Sequence, residues 1–149
     1  MVSTKELFTD AQCKAITETI ALAEKQTSGE IRLYIENNFA GELLDRAAFI
    51  FEELGMHKTH ERNGVLFYLA IKSRQFAIIG DVGINAIVGP AFWNEIKDLM
   101  AASFKSGDFV KGLTEGISRA GEALRTHFPY SDDDVNELPD DIVFGGEDA

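Results

Sequence analysis

One run of seven consecutive apolar residues, Val65-Leu66-Phe67-Tyr68-Leu69-Ala70-Ile71, constrains this chain more than any other feature. A strand with one wet face alternates polar with apolar, whereas an unbroken run of this length fits a strand buried on both faces, in a sheet covered by helices on each side. The run is far too short for a membrane-spanning helix, which needs about 20 apolar residues. The link Lys72-Ser73-Arg74 is too short for a crossover helix, so the next apolar stretch, Phe76-Ala77-Ile78-Ile79, is predicted to return antiparallel. Upstream, Glu30 to Glu36 alternates, with Ile31, Leu33 and Ile35 on one face and Arg32, Tyr34 and Glu36 on the other, and reads as a further strand.

Helices are signalled between these strands. Thr9-Asp10-Ala11-Gln12 has the form of a capping box, and Cys13, Ile16, Ile20 and Ala23 recur at helical spacing, predicting a helix over 10–26. Leu44, Ala47, Phe51 and Leu54 form a second stripe, closed by Gly55, which predicts a helix over 42–54. Ile84 to Val88 reads as a short helical turn, and Pro90 opens a helix carried by Phe92, Ile96, Leu99 and Phe104. Gly107-Asp108 ends that helix and caps another, in which Val110, Leu113, Ile117, Ala120 and Leu124 repeat up to Phe128-Pro129. The order α, β, α, β, β, α, α implies an α/β chain with a small mixed sheet between helical layers, the first two strands parallel and joined by a crossover. Their beginnings, at Glu30 and Gly64, then share an edge with the end of the third strand at Asp81. Thr27-Ser28-Gly29-Glu30, Arg62-Asn63-Gly64 and Gly80-Asp81-Val82-Gly83 are predicted to converge on one polar rim.

Charge narrows the function classes. With 14 basic and 25 acidic residues the net charge is −11, which argues against nucleic-acid binding, where clustered Lys and Arg are needed. Eight of the acidic residues and no Lys or Arg lie in 126–149, so residues 1–130 read as one domain body and 131–149 as an acidic, partly docked tail. Cys13 is the one cysteine, which excludes an intrachain disulfide and a Cys-based zinc knuckle. With no export signal or membrane span visible, the expectation is a cytoplasmic protein without membrane insertion.

The rim segments carry a resemblance. Thr27-Ser28-Gly29-Glu30-Ile31-Arg32, Thr59 with Arg62-Asn63-Gly64-Val65-Leu66, Gly80-Asp81-x-Gly83-Ile84, Phe128-Pro129 and Asn136-Glu137-Leu138-Pro139-Asp140 together resemble the TPM domain family. That family takes its name from thylakoid-lumen, photosystem II repair and acetylcholine-receptor modulator members, and the resemblance spans about residues 6 to 142. It implies a three-layer α/β/α Rossmann-like sandwich, a divalent cation such as Ca²⁺ at the acidic rim, and an acid phosphatase activity like that ascribed to plant members. Many members carry an export signal and a transmembrane segment. Neither is visible here, so the chain is similar to a stand-alone, bacterial-type domain.

Each candidate has a plainer counterpart. An all-oxygen site for Ca²⁺ or Mg²⁺ takes carboxylates supplemented by amide oxygens, which Glu30, Asp81 and Asn63 supply, with Ser28, Arg62, Glu137 and Asp140 as supporting residues. Alternatively, Glu30 pairs with Arg62 or Arg32, Asp81 caps a turn, and Asn63-Gly64 is a turn dipeptide. Asp132-Asp133-Asp134-Val135-Asn136 starts like a calcium loop, but Glu137 replaces the turn glycine and Val143 the closing Glu. His57 and His60 read as solvated loop histidines, Cys13 as a buried structural thiol, and Phe92 and Trp93 as core. The function expected is a cation-dependent interaction module with an unidentified protein partner. The alternative is metal-assisted phosphomonoester hydrolysis, with Glu30 and Asp81 as ligands and Arg62 stabilising charge. No catalytic nucleophile or base is assigned.

Overall fold

The strand at the centre of the sheet is β2 (Gly64–Ala70), and every one of its residues is buried. In this computed structural model, which describes residues 8–130 and 142–145, β2 lies between β1 (Glu30–Glu36) and β3 (Gln75–Gly80). The β1 pairing is parallel, with Glu30 opposite Gly64, and the β3 pairing antiparallel, with Val65 opposite Gly80. The turn into β3 contains no glycine; Arg74 itself adopts the left-handed conformation, at φ 55°.

Among the described residues four helices cover the sheet: α1 (Asp10–Glu24), α2 (Leu43–Glu53), α3 (Val82–Lys105) and α4 (Phe109–His127). Ile31, Leu33 and Ile35 of β1 and Val65, Phe67 and Leu69 of β2 face α1, α3 and α4, packing with Ile16, Ile20, Ile96 and Ile117. Leu66, Tyr68 and Ala70 face the other way, against Ala47, Ile50 and Phe51 of α2. This is a three-layer α/β/α sandwich. Each fully buried large aliphatic contributes about 1.5–3 kcal/mol, which is why the apolar phase of each strand decides where the helices lie.

Helix boundaries follow their caps. The Thr9 box forms as predicted, with the Gln12 amide donating to Thr9 Oγ1 at 3.0 Å and the Thr9 amide to Gln12 Oε1 at 2.9 Å. The helix it starts ends at Glu24, two residues short of the predicted limit, because the chain turns at Gln26 and Thr27 toward β1. Gly55 takes φ 72° after α2. The short turn and the helix expected on either side of Gly89-Pro90 run on as α3, with a kink where Gly89 adopts φ 75° and ψ 171°. Asp108 caps α4, accepting from the Lys111 amide at 3.0 Å.

Two elements lack a periodic signal. A 3-10 turn at Met56–Lys58 buries Met56 and half-buries His57, so His57 is not the solvated residue expected; His60 is exposed. Val143–Phe144 form β4, parallel to β1 on its free side, giving the order β3-β2-β1-β4. Its Phe144 ring lies 6.4 Å from that of Phe8, and the Gly145 amide donates to Ile35 at 2.8 Å. Two residues are too few to show alternation. Among the described residues, no helix is long and apolar enough to cross a membrane.

The polar face of β1 is also buried. Glu30, Arg32 and Glu36 are 2 %, 7 % and 2 % exposed. Glu36 is held by Arg46 of α2 through two bonds, Nε to Oε2 at 2.8 Å and Nη2 to Oε1 at 2.9 Å, and by the Tyr68 hydroxyl, which donates to Oε2. The carboxylate and burial together raise the Tyr68 pKa, burial being the larger cause.

Candidate functional site

The three predicted segments meet where the topology requires, at the amino ends of β1 and β2 and the end of β3. Glu30 is in register with Gly64, and the Asp81 amide donates to the Gly64 carbonyl at 2.9 Å. Two carboxylate residues therefore flank one glycine. A Cβ on Gly64 would lie 3.1 Å from the Met56 carbonyl oxygen, so the 3-10 turn approaches the rim closely.

Ser28 reaches the rim from the segment joining α1 to β1. That segment is pinned to the end of α4. The Thr27 hydroxyl is shared between the carbonyls of Leu124, at 3.0 Å, and Phe128, and the Ser28 amide donates to Phe128 at 2.9 Å. Gly29 fits because a Cβ there would strike the Leu124 side chain at 2.7 Å. Held in this way, Ser28 Oγ accepts from Asn63 Nδ2 at 3.2 Å and donates to Glu61 Oε1 at 3.2 Å. Asn63 is 1 % exposed, and its Oδ1 is buried without a hydrogen-bond partner among the described residues. Thr59 Oγ1 is in the same condition.

Asp81 is held through both of its carboxylate oxygens. Arg62 grips it with Nε to Oδ2 at 2.7 Å and Nη2 to Oδ1 at 2.8 Å, and Oδ1 also accepts from the Val82 amide at 2.8 Å as the cap of α3. The bond to Asp81 raises the Arg62 pKa above its ordinary value. Arg62 sits in the left-handed region at φ 54°, its carbonyl accepting from the Gly83 amide at 2.8 Å. A Cβ on Gly83 would fall 2.2 Å from the Glu61 carbonyl oxygen and 2.6 Å from that of Arg62, so only glycine allows the start of α3 to lie against this loop.

Of the residues singled out from sequence, Ser28, Glu30, Arg62, Asn63 and Asp81 come together, while Glu137 and Asp140 lie outside the described residues. Arg62 pairs with Asp81. Two rim acids escaped sequence reasoning. Glu61 bonds Ser28, and Glu24, at the end of α1, accepts from the Ile31 amide at 2.6 Å. Both look like solvated charges in a sequence, though the adjacency of Glu61 to Arg62-Asn63 is a usable signal.

The donor set is all oxygen, which fits Ca²⁺ or Mg²⁺ in kind, and the Asn63 Oδ1 has no other partner among the described residues. Among the described residues no cluster of three or more His, Cys, Asp or Glu is gathered as for a metal, so neutral oxygens would have to complete the shell. Among the described residues His57 Nδ1 is also buried without a hydrogen-bond partner, on the 3-10 turn.

The family model of the TPM domain matches residues 1–123. No curated protein matches the chain. Among solved structures, the NMR structure of BA42 protein from the psychrophilic bacterium Bizionia argentinensis is 43% identical, covers 93% of this chain and 95% of its own, and superposes with a TM-score of 0.87. The N-terminal domain of a P. gingivalis protein is similar in fold, at 20% identity and TM-score 0.67 over 84% of this chain and 83% of that one. So is the N-terminal domain of cg2496 from Corynebacterium glutamicum, at 14% identity and TM-score 0.63 over 78% and 74%.

Proposed function

Because this chain belongs to the TPM domain family, and because its rim leaves a buried amide oxygen without a partner among the described residues, we propose that it is an interaction module taking one divalent cation at that rim. The observation carrying the proposal is Asn63 Oδ1. A buried acceptor left unsatisfied costs about 1–3 kcal/mol, and a hard cation would satisfy it. Glu30, Asn63 and Asp81 are the ligands in this reading, with Ser28 beside them and Glu137 and Asp140 as further oxygens. Without the ion Arg62 neutralises Asp81. Its side chain is 47% exposed and free to swing outward, so the ion exchanges a guanidinium for itself. That exchange and the few carboxylates imply weak affinity, on the order of 10⁻⁴–10⁻³ M, for Ca²⁺ or Mg²⁺ alike. The setting we assign is cytoplasmic, on the single cysteine, and the protein partner is unidentified.

The test is an amide NMR titration with Ca²⁺ and with Mg²⁺, run alongside thermal unfolding. Shifts should centre on 28–30, 61–64 and 81–83 and disappear in Asp81→Asn. A hundredfold excess over Kd should stabilise the fold by roughly 2.7 kcal/mol. Shifts restricted to 131–141, or none, would sink the rim site.

Metal-assisted hydrolysis of a phosphomonoester is the second reading. One observation favours it: the Ser28 hydroxyl donates to a carboxylate, as in an activated nucleophile. Against it, the Ser28 oxygen already accepts from Asn63 Nδ2 at 3.2 Å, which ties up a lone pair that a nucleophile needs. Chelator-sensitive turnover of p-nitrophenyl phosphate that Ser28→Ala abolishes would establish it; the expected result is no such turnover.

A further inference from the structure

At the opposite end of the sheet from the rim, an open cleft of about 780 Å³ lies between the β2–β3 turn, the end of α3 and the start of α4. The length of β2 puts the two about 20 Å apart. The floor of the cleft is aromatic. Phe104 meets Phe76 edge to face, with centroids 4.9 Å apart at 84°, and lies tilted against Phe109 at 5.2 Å and 36°. The mouth is cationic. Lys72, Arg74 and Lys105 line it, all exposed, and none makes an ion pair among the described residues. Among the described residues no acidic side chain lines it, and the neighbouring Asp108 is turned to the start of α4, where it accepts from the Lys111 amide. Three lone cations around apolar walls are conspicuous in a chain of net charge −11.

We propose that this cleft is a binding site for a small aromatic anion, two or three rings carrying a carboxylate or similar group. Charge complementarity selects the anion. The ring array selects the body, because a further aromatic continues the edge-to-face packing where an acyl chain has no equivalent geometry. The volume lies within the range of small-molecule sites, and the composition, apolar walls with a few convergent polar groups, is theirs also. The site shares no residue with the rim.

The experiment titrates the whole chain with 2-naphthoate and follows amide shifts, with octanoate (same charge, no ring) and 2-naphthylmethylamine (same ring, opposite charge) as comparisons. Shifts are expected at 71–76 and 104–109, weaker for octanoate and absent for the amine. The triple variant Lys72→Gln, Arg74→Asn, Lys105→Gln should weaken 2-naphthoate binding roughly tenfold. Asn is chosen at 74 because it tolerates the left-handed backbone there. An otherwise unchanged spectrum confirms that the variant folds. Shifts elsewhere, none at roughly millimolar 2-naphthoate, equal binding of octanoate or the amine, or an unaffected triple variant would each overturn the proposal.

Discussion

Replacing Gly83 with Ala sets two physical effects of opposite sign against each other. Gly83 is the second residue of α3, and helix propensity alone favours Ala over Gly by about 1 kcal/mol in a helix. The added methyl, however, would sit 2.2 Å from the Glu61 carbonyl oxygen and 2.6 Å from that of Arg62. Carbon contacts are comfortable at about 3.5 Å, so the loop or the helix must retreat by about 1 Å. Both obstacles are backbone, which cannot rotate away as a side chain can. Overpacking of this kind costs about 1–3 kcal/mol, and the retreat also stretches the 2.8 Å bond from the Gly83 amide to Arg62, worth about 1 kcal/mol net. The balance is a destabilisation of about 1–3 kcal/mol in urea unfolding. Amide shifts should spread to 28, 59–64 and 81–84, because Ser28, Asn63, Arg62 and Asp81 are linked through that loop. Ala86→Gly, at an exposed position of the same helix, calibrates the propensity effect at about 1 kcal/mol. A Gly83→Ala protein more stable than the parent, with an unshifted rim, would refute the claim that close packing of α3 on this loop builds the site.

Three further outcomes are expected. Glu36→Gln leaves the Arg46 guanidinium, 27% exposed, beside a neutral amide and should cost about 2 kcal/mol, whereas Tyr68→Phe removes one bond to a charged acceptor and should cost about 1–2 kcal/mol; urea unfolding of both, with the double variant, checks the order and the coupling. Burial, then Glu36, raises the Tyr68 pKa above its ordinary value of 10. Stability should therefore be complete below pH 10 and fall above it, by up to about 1.4 kcal/mol per pH unit, as the unfolded chain ionises and the folded one does not. Tyr68→Phe should flatten that slope in alkaline unfolding curves. A chain ending at Pro139 lacks β4 and the half-buried Ile142 and Phe144, and should still unfold cooperatively but with about 2 kcal/mol less stability; loss of cooperativity in calorimetry would mean that the edge strand is integral to the core.

Most of the architecture could be read from the sequence because β1 and the four helices carry their own periods and β2 and β3 are unbroken apolar runs. The run from Val65, the alternation from Glu30 and the three-residue link at Lys72 together specify which strands are parallel, and that alone places Ser28, Glu30, Asn63 and Asp81 at one edge. Partner choice within the edge was not legible. The sequence offers Arg62 as a partner of Glu30, whereas the structure gives it to Asp81, a pairing that depends on the left-handed turn at residue 62 and on Gly83 admitting the loop. The charge at Glu36 reads as the wet side of an alternating strand, because nothing local announces that Arg46, ten residues on, will meet it beneath α2. β4 was hidden for the opposite reason, since a two-residue strand has no period at all.

The two ends of the sheet differ in charge, and the difference follows from chain direction. At the amino ends, Glu30 and Asp81 sit on either side of Gly64, with Glu61 bonded to Ser28. At the other end the β2–β3 turn and the α3–α4 junction bring Lys72, Arg74 and Lys105 around three phenylalanines. A separation of about 20 Å exceeds the Debye length of about 8 Å at physiological ionic strength, so the cation proposed at one end and the anion proposed at the other would exert little direct field on each other. Coupling between them would have to pass through the backbone of β2, where all seven residues are buried and packed on both faces, an arrangement that resists small displacements. The rim and the cleft are therefore separate places on one packed sheet, and the failure of either proposal would leave the other standing.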